Sequence, residues 1–441
     1  MKNPEDSNEA IRIIERFESL PIERRVAIFR DLSPQAREEL VSVLTRPGEI
    51  IRRVSPEEMY FTIKQVGEEN ATSLITMTTS KQLLYMLDID LWKHDTLNVP
   101  VTARWLEIIS TIGEPKILQF VQTVDGELLL SAMSRLVRVV IRDPEIGLVE
   151  QEDLFTMFTL DDTYYLEFRS TQYEEPVKRF LDAIFRWNPH YYFGLMQELA
   201  GGLAQEQEEF ALKWRQARLY DMGFPEFDEA IEIYQYLRRS AVCDPDAEPT
   251  DPEADTAHES LPILGYPLKL VNEDTPFRNS LNGIADPAQR DRVARELAHL
   301  ANKVMIADGR DPGSVESLVG SLEKVSGYIN IALEEMCGDD VAQAMGLIRS
   351  NHLEILFRRA FSLILDLRKE GQKLLREYEG VVENLGHPLA GLMSGLLHKR
   401  PYFAGHVLGD PKPREFRSFH DLATIRSMMD RTAVEEKWED I

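Results

Sequence analysis

Apolar residues recur along most of this chain at three- and four-residue intervals, the spacing of helices with one buried face. Ile11, Ile14, Phe17 and Leu20 share such a face, and Val26, Ile28, Phe29 and Leu32 form a second beyond Pro21. Ser33-Pro34 supplies an N-cap and a first-turn proline for a third helix, with Ala36, Leu40, Val43 and Leu44 turned inward and Arg46-Pro47-Gly48 as its stop. Ser55 and Glu58 stand at capping-box spacing and predict a further start. Helices this short are unstable alone, so their apolar faces must be covered by neighbours.

One stretch repeats. Ile63-x-x-Val66-Gly67-Glu68 recurs 46 residues on as Ile109-x-x-Ile112-Gly113-Glu114, and Leu74-Ile75 and Leu83-Leu84 recur as Phe120-Val121 and Leu129-Leu130. That period suits two-helix solenoid units, with Gly67 and Gly113 each closing one helix before the next begins. Stacked units leave an extended binding face and predict a superhelical N-terminal half. Between 154 and 169 the period changes: Tyr164, Leu166 and Phe168 alternate with Tyr165, Glu167 and Arg169, and Asp161-Asp162 offers a turn, which predicts one small β-hairpin. Helices are expected again over Pro176–Trp187, Pro189–Leu203, Gln205–Leu219 and Pro225–Leu237.

The stretch 241–262, AVCDPDAEPTDPEADTAHESLP, is rich in Asp, Glu and Pro and has almost nothing to bury. It reads as a linker or exposed loop between a helical region 1–240 and a helical-bundle region 263–441. The second region predicts helices over Pro287–Ile306, Val315–Met336, Val341–Ile348, Leu353–Tyr378, Val381–Leu397 and Ser418–Glu436. The fold class is therefore all-α.

Composition narrows the function. The net charge of −25 opposes general binding to nucleic acid or anionic membranes. Two cysteines, Cys243 and Cys337, carry no paired spacing for zinc or a disulfide framework. No apolar run is long enough to span a bilayer, and the first residues lack the basic start and apolar core of a signal peptide, so a cytoplasmic location is expected.

Leu20–Leu44, LPIERRVAIFRDLSPQAREELVSVL, resembles the helical N-terminal domain of MgtE-type magnesium transporters, a superhelix of short helix pairs. The pore helices and nucleotide-binding domains of that family have no counterpart in the chain, so the resemblance implies at most a divalent-cation-responsive regulator, with Mg²⁺ as its cation. Through Arg215–Leu237, Leu300–Pro312 and Lys399–Phe416 the whole chain is similar to a bacterial family of unknown function, which implies a helical cytosolic protein and no particular activity.

Candidate chemistry is sparse. There is no Walker loop, dinucleotide fingerprint, nucleophile motif or HExxH. Glu296-x-x-His299 has the spacing of a carboxylate-bridged bundle ligand pair, but the second copy such a site requires is missing. His387, His398, His406 and His420 match no ligand pattern. The segment from Lys399 to Arg417 concentrates Lys399, Arg400, Tyr402, Arg414 and Arg417 in an otherwise acidic protein, a candidate grip on an anion or an acidic partner, with pairing to the chain's own carboxylates as the plainer reading. Trp187, Tyr191 and Tyr192 form an aromatic group that serves either as core or as a contact patch. The expectation is a non-enzymatic interaction or regulatory adaptor with a protein partner and no identified cofactor. The alternatives are the cation-responsive regulator and an enzyme acting on an anionic substrate at the basic loop.

Overall fold

The short helices of the first region do cover one another, in a computed structural model that describes residues 12–143, 145, 152–202, 204–242, 244, 266–272, 274–378 and 380–439. The chain divides into two units, Met1–Met222 and Gly223–Ile441.

The first unit opens with α1 (12–18), α2 (Ile22–Asp31), α3 (Pro34–Val43), α4 (Gly48–Ile51), α5 (Pro56–Val66), α6 (Thr72–Met77) and α7 (Ser80–Asp90). A two-residue hairpin, β1 (Trp92–Lys93) with β2 (Thr96–Leu97), leads to α8 (Val99–Ile112), α9 (Glu114–Thr123) and α10 (Gly126–Leu136). The 46-residue period is larger in content than the sequence reading allowed. Each unit of repetition holds three helices, and three copies are present: α1-α2-α3, α5-α6-α7 and α8-α9-α10. The residues preceding the third helix of each copy, Ser33, Thr79 and Asp125, are 46 apart, as are the last residues of the second helices, Asp31, Met77 and Thr123. Core positions keep the register, with Phe17, Ile63 and Ile109, then Phe29, Ile75 and Val121, then Val41, Leu87 and Met133 all buried. The first copy is hidden in the sequence because Pro21 stands where Gly67 and Gly113 stand later. Those glycines close their helices at φ +90° and +120°, which side-chain-bearing residues rarely adopt. Successive copies touch, α3 on α5 and α6, α6 on α8, and α7 on α9.

The predicted capping box at Ser55 is half formed. Ser55 Oγ accepts from the Glu58 amide at 3.1 Å, but the Glu58 carboxylate is drawn instead to Arg37 at 2.6 Å. Arg37 also donates to Phe29 O and Arg30 O and is 2% exposed. Its counterparts in the later copies are the buried Leu83 and Leu129.

Strand β3 (Val137–Ile141) pairs antiparallel with β4 (Tyr164–Phe168), Val139 opposite Leu166. The alternating stretch is thus a strand as predicted, but its main partner lies upstream of 154. Within 154–169 only Phe158 bridges back, to Leu166 across the Asp161-Asp162 turn. Then follow α11 (Thr171–Trp187), α12 (Pro189–Gly201) and α13 (Ala204–Asp221). Helix α11 starts ahead of Pro176 because Ser170 caps it by accepting from the Gln172 amide.

The second unit contains α14 (Phe227–Ala230), α15 (Tyr266–Lys269), α16 (Pro276–Gly283), α17 (Pro287–Ala307), α18 (Val315–Cys337), α19 (Val341–Ser350), α20 (Leu353–Glu377), α21 (Leu389–Leu397) and α22 (Phe419–Glu439). Helix α18 is its axis. Every residue from Lys324 to Leu333 is buried, with α16, α17, α19, α20 and α22 around the helix, so this stretch has no solvent-facing side to betray its orientation. Two expected helices break. Pro225–Leu237 gives only α14 and a 3₁₀ turn (Ile231–Tyr234), and Val381–Leu397 splits at Gly386-His387-Pro388, where Gly386 takes φ +69°. The expected division at 240 falls at 222, because residues beyond Met222 already belong to the second core: Ile233 is buried and the Tyr234 ring lies 4.8 Å from that of Phe361. The acidic stretch lies, except for 241, 242 and 244, outside the described residues.

Candidate functional site

The basic loop of the second unit is mostly turned inward. Arg414 grips Asp421 with both terminal nitrogens, at 2.7 and 2.9 Å, reaches Asp410 at 3.1 Å and stacks 4.4 Å from the Phe403 ring. Arg417 is half-exposed, 3.6 Å from Glu323, while its amide donates to Asp421. Tyr402 is half-buried against His398, and Lys399 points to solvent. The sequence's candidate anion grip is therefore not one patch: Arg414 and Arg417 clamp the loop to its own helices, and Arg400 leaves them for a different cluster.

That cluster is centred on Lys324, which the sequence reading missed. Lys324 is 2% exposed on α18 and donates to Asp308 at 2.8 Å, with Glu415 at 3.6 Å. Asp308 follows α17 and also accepts from the Tyr234 hydroxyl at 2.7 Å. Two arginines flank it: Arg310 holds Glu415 at 2.8 Å and lies 3.5 Å from Asp308, and Arg400 lies 3.5 Å from Asp308, donates to Ala307 O and stacks 4.1 Å over Tyr234. Tyr328, one turn along α18 from Lys324, stacks on Phe357 at 4.7 Å. Two glycines permit this closeness. A Cβ on Gly327 would meet Phe416 O at 2.4 Å, and one on Gly320 would meet Arg310 at 2.8 Å. The segment carrying Glu415 can therefore lie directly on α18. Residues 215–237, 300–312 and 399–416 all contribute here: Tyr234 from the first, Asp308 and Arg310 from the second, Arg400 and Glu415 from the third.

The electrostatics are unbalanced. Three cations face two carboxylates. Burial pushes the Glu415 carboxyl above its ordinary range while Lys324 and Arg310 pull it back. Burial, then the negative charges of Glu415 and Asp308, push the Tyr328 phenol far up, so it is a neutral donor. Yet among the described residues the buried Tyr328 hydroxyl has no hydrogen-bond partner, and Glu415 Oε2 has only the Lys324 ammonium, 3.6 Å away. Buried polar atoms are seldom left so. Arg310, Glu415 and Arg400 are each about a quarter exposed (23%, 25% and 27%) and form the side of the cluster that meets solvent.

In the first unit Tyr192 is fully buried against Phe185 at 5.0 Å, which removes it from the contact patch. Trp187 is 39% exposed and Tyr191 half-buried beside it. A stronger aromatic surface, also missed, lies on α13. One side of this helix packs on α10 and is pinned by Arg218, which spans Asp88 and Asp125 at 2.7 and 2.5 Å. The other side carries Phe210, Trp214 and Tyr220 within an arc of about 120°, exposed by 53, 54 and 56%. With Glu208, Arg215 and Arg218 on the packed side and aromatics on the exposed side, the helix shows no periodic signal, which is why the pattern did not single it out.

Of the remaining candidates, Glu296 has a structural role. Glu296 takes the Leu353 amide at 2.9 Å and His352 at 3.1 Å, capping α20. No group of three or more His, Cys, Asp or Glu side chains able to hold a metal occurs among the described residues, so the divalent-cation reading gains no ligand set there. No helix among them is long and apolar enough to cross a membrane.

Compared with known proteins, the chain matches the model of a family of unknown function, DUF6178, over residues 14–438. No curated protein and no solved structure matches. The likeness of residues 20–44 to the magnesium-transporter domain finds no support in these comparisons.

Proposed function

We propose that this chain, which belongs to that family of unknown function, is a non-enzymatic interaction protein whose first unit docks a protein partner on α13. The reading rests on one observation: Phe210, Trp214 and Tyr220 are held outward, more than half exposed, on a helix anchored to the last repeat copy. Large aromatics on a rigid support are the side chains that dominate binding energy, since they bury much area at little entropic cost. Arginine 218 and Glu208, which binds the Leu97 amide and Arg135, prevent the helix from rolling to hide that face. The three-copy arrangement suits this role, because repeated units supply a platform without any catalytic centre.

A photo-crosslinking residue in place of Trp214, in the full chain within its native host, tests the reading. The expected result is one discrete adduct with another protein, lost on Phe210→Ser and absent when the probe replaces exposed Glu39. A smear, or an adduct mapping to this same chain, would sink it.

A further inference from the structure

We infer that the Lys324 cluster of the second unit is a binding site for free hydrogenphosphate, entered past Arg310 and Arg400 and floored by Tyr328 and Lys324.

Four observations converge. The cluster carries one more cation than carboxylates, with Lys324, Arg310 and Arg400 against Asp308 and Glu415. The surplus favours an anion. Two of the arginine contacts, Arg310 and Arg400 to Asp308, stand at 3.5 Å, longer than a good charged hydrogen bond, so these guanidinium groups keep N–H capacity for another acceptor. The Tyr328 hydroxyl is fully buried with no partner among the described residues, and it lies within the field of Glu415, Asp308, Arg400 and Arg310. It is a donor waiting for an oxygen. Glu415 Oε2 is buried with no hydrogen bond of normal length: the Lys324 ammonium stands 3.6 Å from it, while its sister oxygen is held by Arg310.

The combination is selective. Any oxyanion can accept from Tyr328, Lys324 and the arginines. Only one that still carries a proton can also donate to Glu415 Oε2. Sulfate at neutral pH has no proton and would set its charge against that carboxylate. A phosphomonoester, whose second pKa is about 6, is mostly without one above neutrality. Inorganic phosphate keeps at least one proton throughout that range, so of these three ions it alone can accept from Tyr328 and still donate to Glu415 Oε2. A site that rejects an ion for lacking a hydrogen discriminates strongly, because the rejected ion leaves a buried polar group unpaired. The inference is independent of the α13 surface and survives or falls without it.

Isothermal titration calorimetry of the full chain at pH 7.5, with inorganic phosphate, sulfate and O-phosphoserine as separate titrants at matched ionic strength, decides the matter. One saturable phosphate site per chain is expected, with sulfate and phosphoserine at least about tenfold weaker. Tyr328→Phe, which keeps the ring stack, should weaken phosphate by about tenfold, as should Arg400→Lys at the exposed side. Glu415→Gln should narrow the gap between phosphate and sulfate, since the charge that repels sulfate is gone. Absence of saturable phosphate heat, equal affinity for sulfate, or unchanged affinity in both Tyr328→Phe and Arg400→Lys would overturn the assignment and leave a water bridging Tyr328 and Glu415. Far-UV circular dichroism of each variant separates a lost site from a lost fold.

Discussion

Both units bring a lysine, a tyrosine and an aspartate together, and they finish the arrangement differently. In the first, Asp90 accepts from Tyr60 at 2.8 Å, Lys64 at 3.0 Å and the Trp105 indole at 3.0 Å, while Lys64 also reaches Glu68 at 2.6 Å. Burial raises the Asp90 carboxyl, and Lys64 and the two aromatic donors oppose that rise. The three donors converge on one carboxylate, and the network does one thing: it ties α5 and α8 to the end of α7. In the second, Lys324 and Tyr234 find Asp308, but Tyr328 and half of Glu415 are left over. A closed network gives rigidity and register. An open one, in a core otherwise well packed, holds polar capacity in reserve, and that is where a ligand belongs.

The sharpest way to break the closed network is to remove its acceptor. Asp90→Ala should cost about 3–5 kcal/mol in urea unfolding, because it removes the one buried carboxylate on which Tyr60, Lys64 and the Trp105 indole converge. Arg37→Leu tests a second closed pair and should cost a similar ~3–5 kcal/mol by taking away the buried charge opposite Glu58, which is 1% exposed. Adding Glu58→Leu should restore most of that, since the later copies manage with Leu83 at the equivalent position of Arg37. If the double variant is as unstable as the single, the pair is worth more than its apolar replacement and the comparison with the later copies fails.

Lys116 is the intermediate case, a buried cation whose acceptors, Thr78 and Gln119, are all neutral. Burial lowers its pKa to about 8 from 10.5. Below pH 8 both folded and unfolded chains carry the proton, and the folded state bears the full desolvation cost. That cost fades as pH rises from 8 toward 10.5, where both states are neutral. Lys116→Met should therefore gain about 1–3 kcal/mol over the parent at pH 7. Matched unfolding curves at pH 7 and 10 should show the gain shrinking; a gap independent of pH would mean the effect is packing alone.

Two tyrosine hydroxyl deletions compare the networks most directly. Tyr60→Phe takes a donor from Asp90 and should cost about 1–2 kcal/mol, whereas Tyr328→Phe removes a hydroxyl with nothing to lose and should stay within about 0.5 kcal/mol without phosphate. Equal costs would show that Tyr328 has a partner after all. Smallest of all, Phe210→Ser with Trp214→Ser should leave stability within about 0.5–1 kcal/mol, because both side chains already face solvent.

Much of this was legible in the chain itself. Helical periodicity, the Ser33 and Ser55 caps and the glycines at 67 and 113 are local devices, so the all-α class, five of the six predicted helices of the second region and the 46-residue period could be read directly. The same reasoning overran at 381–397, where Gly386 and Pro388 outweighed the helical spacing of the apolar residues, and undercounted the copies, where Pro21 replaced the marker glycine. What tertiary structure alone decided is which distant residues share one small volume. Tyr234, Asp308, Lys324, Arg400 and Glu415 are scattered over some 180 positions and read singly as surface charges and a core tyrosine. They become a site only because α18 is buried all round, which forces Lys324 to find carboxylates from other segments, and because Gly327 lets the chain before Phe416 lie close enough to supply one. Secondary structure follows from neighbours in sequence; the charge balance of a buried cluster follows from neighbours in space.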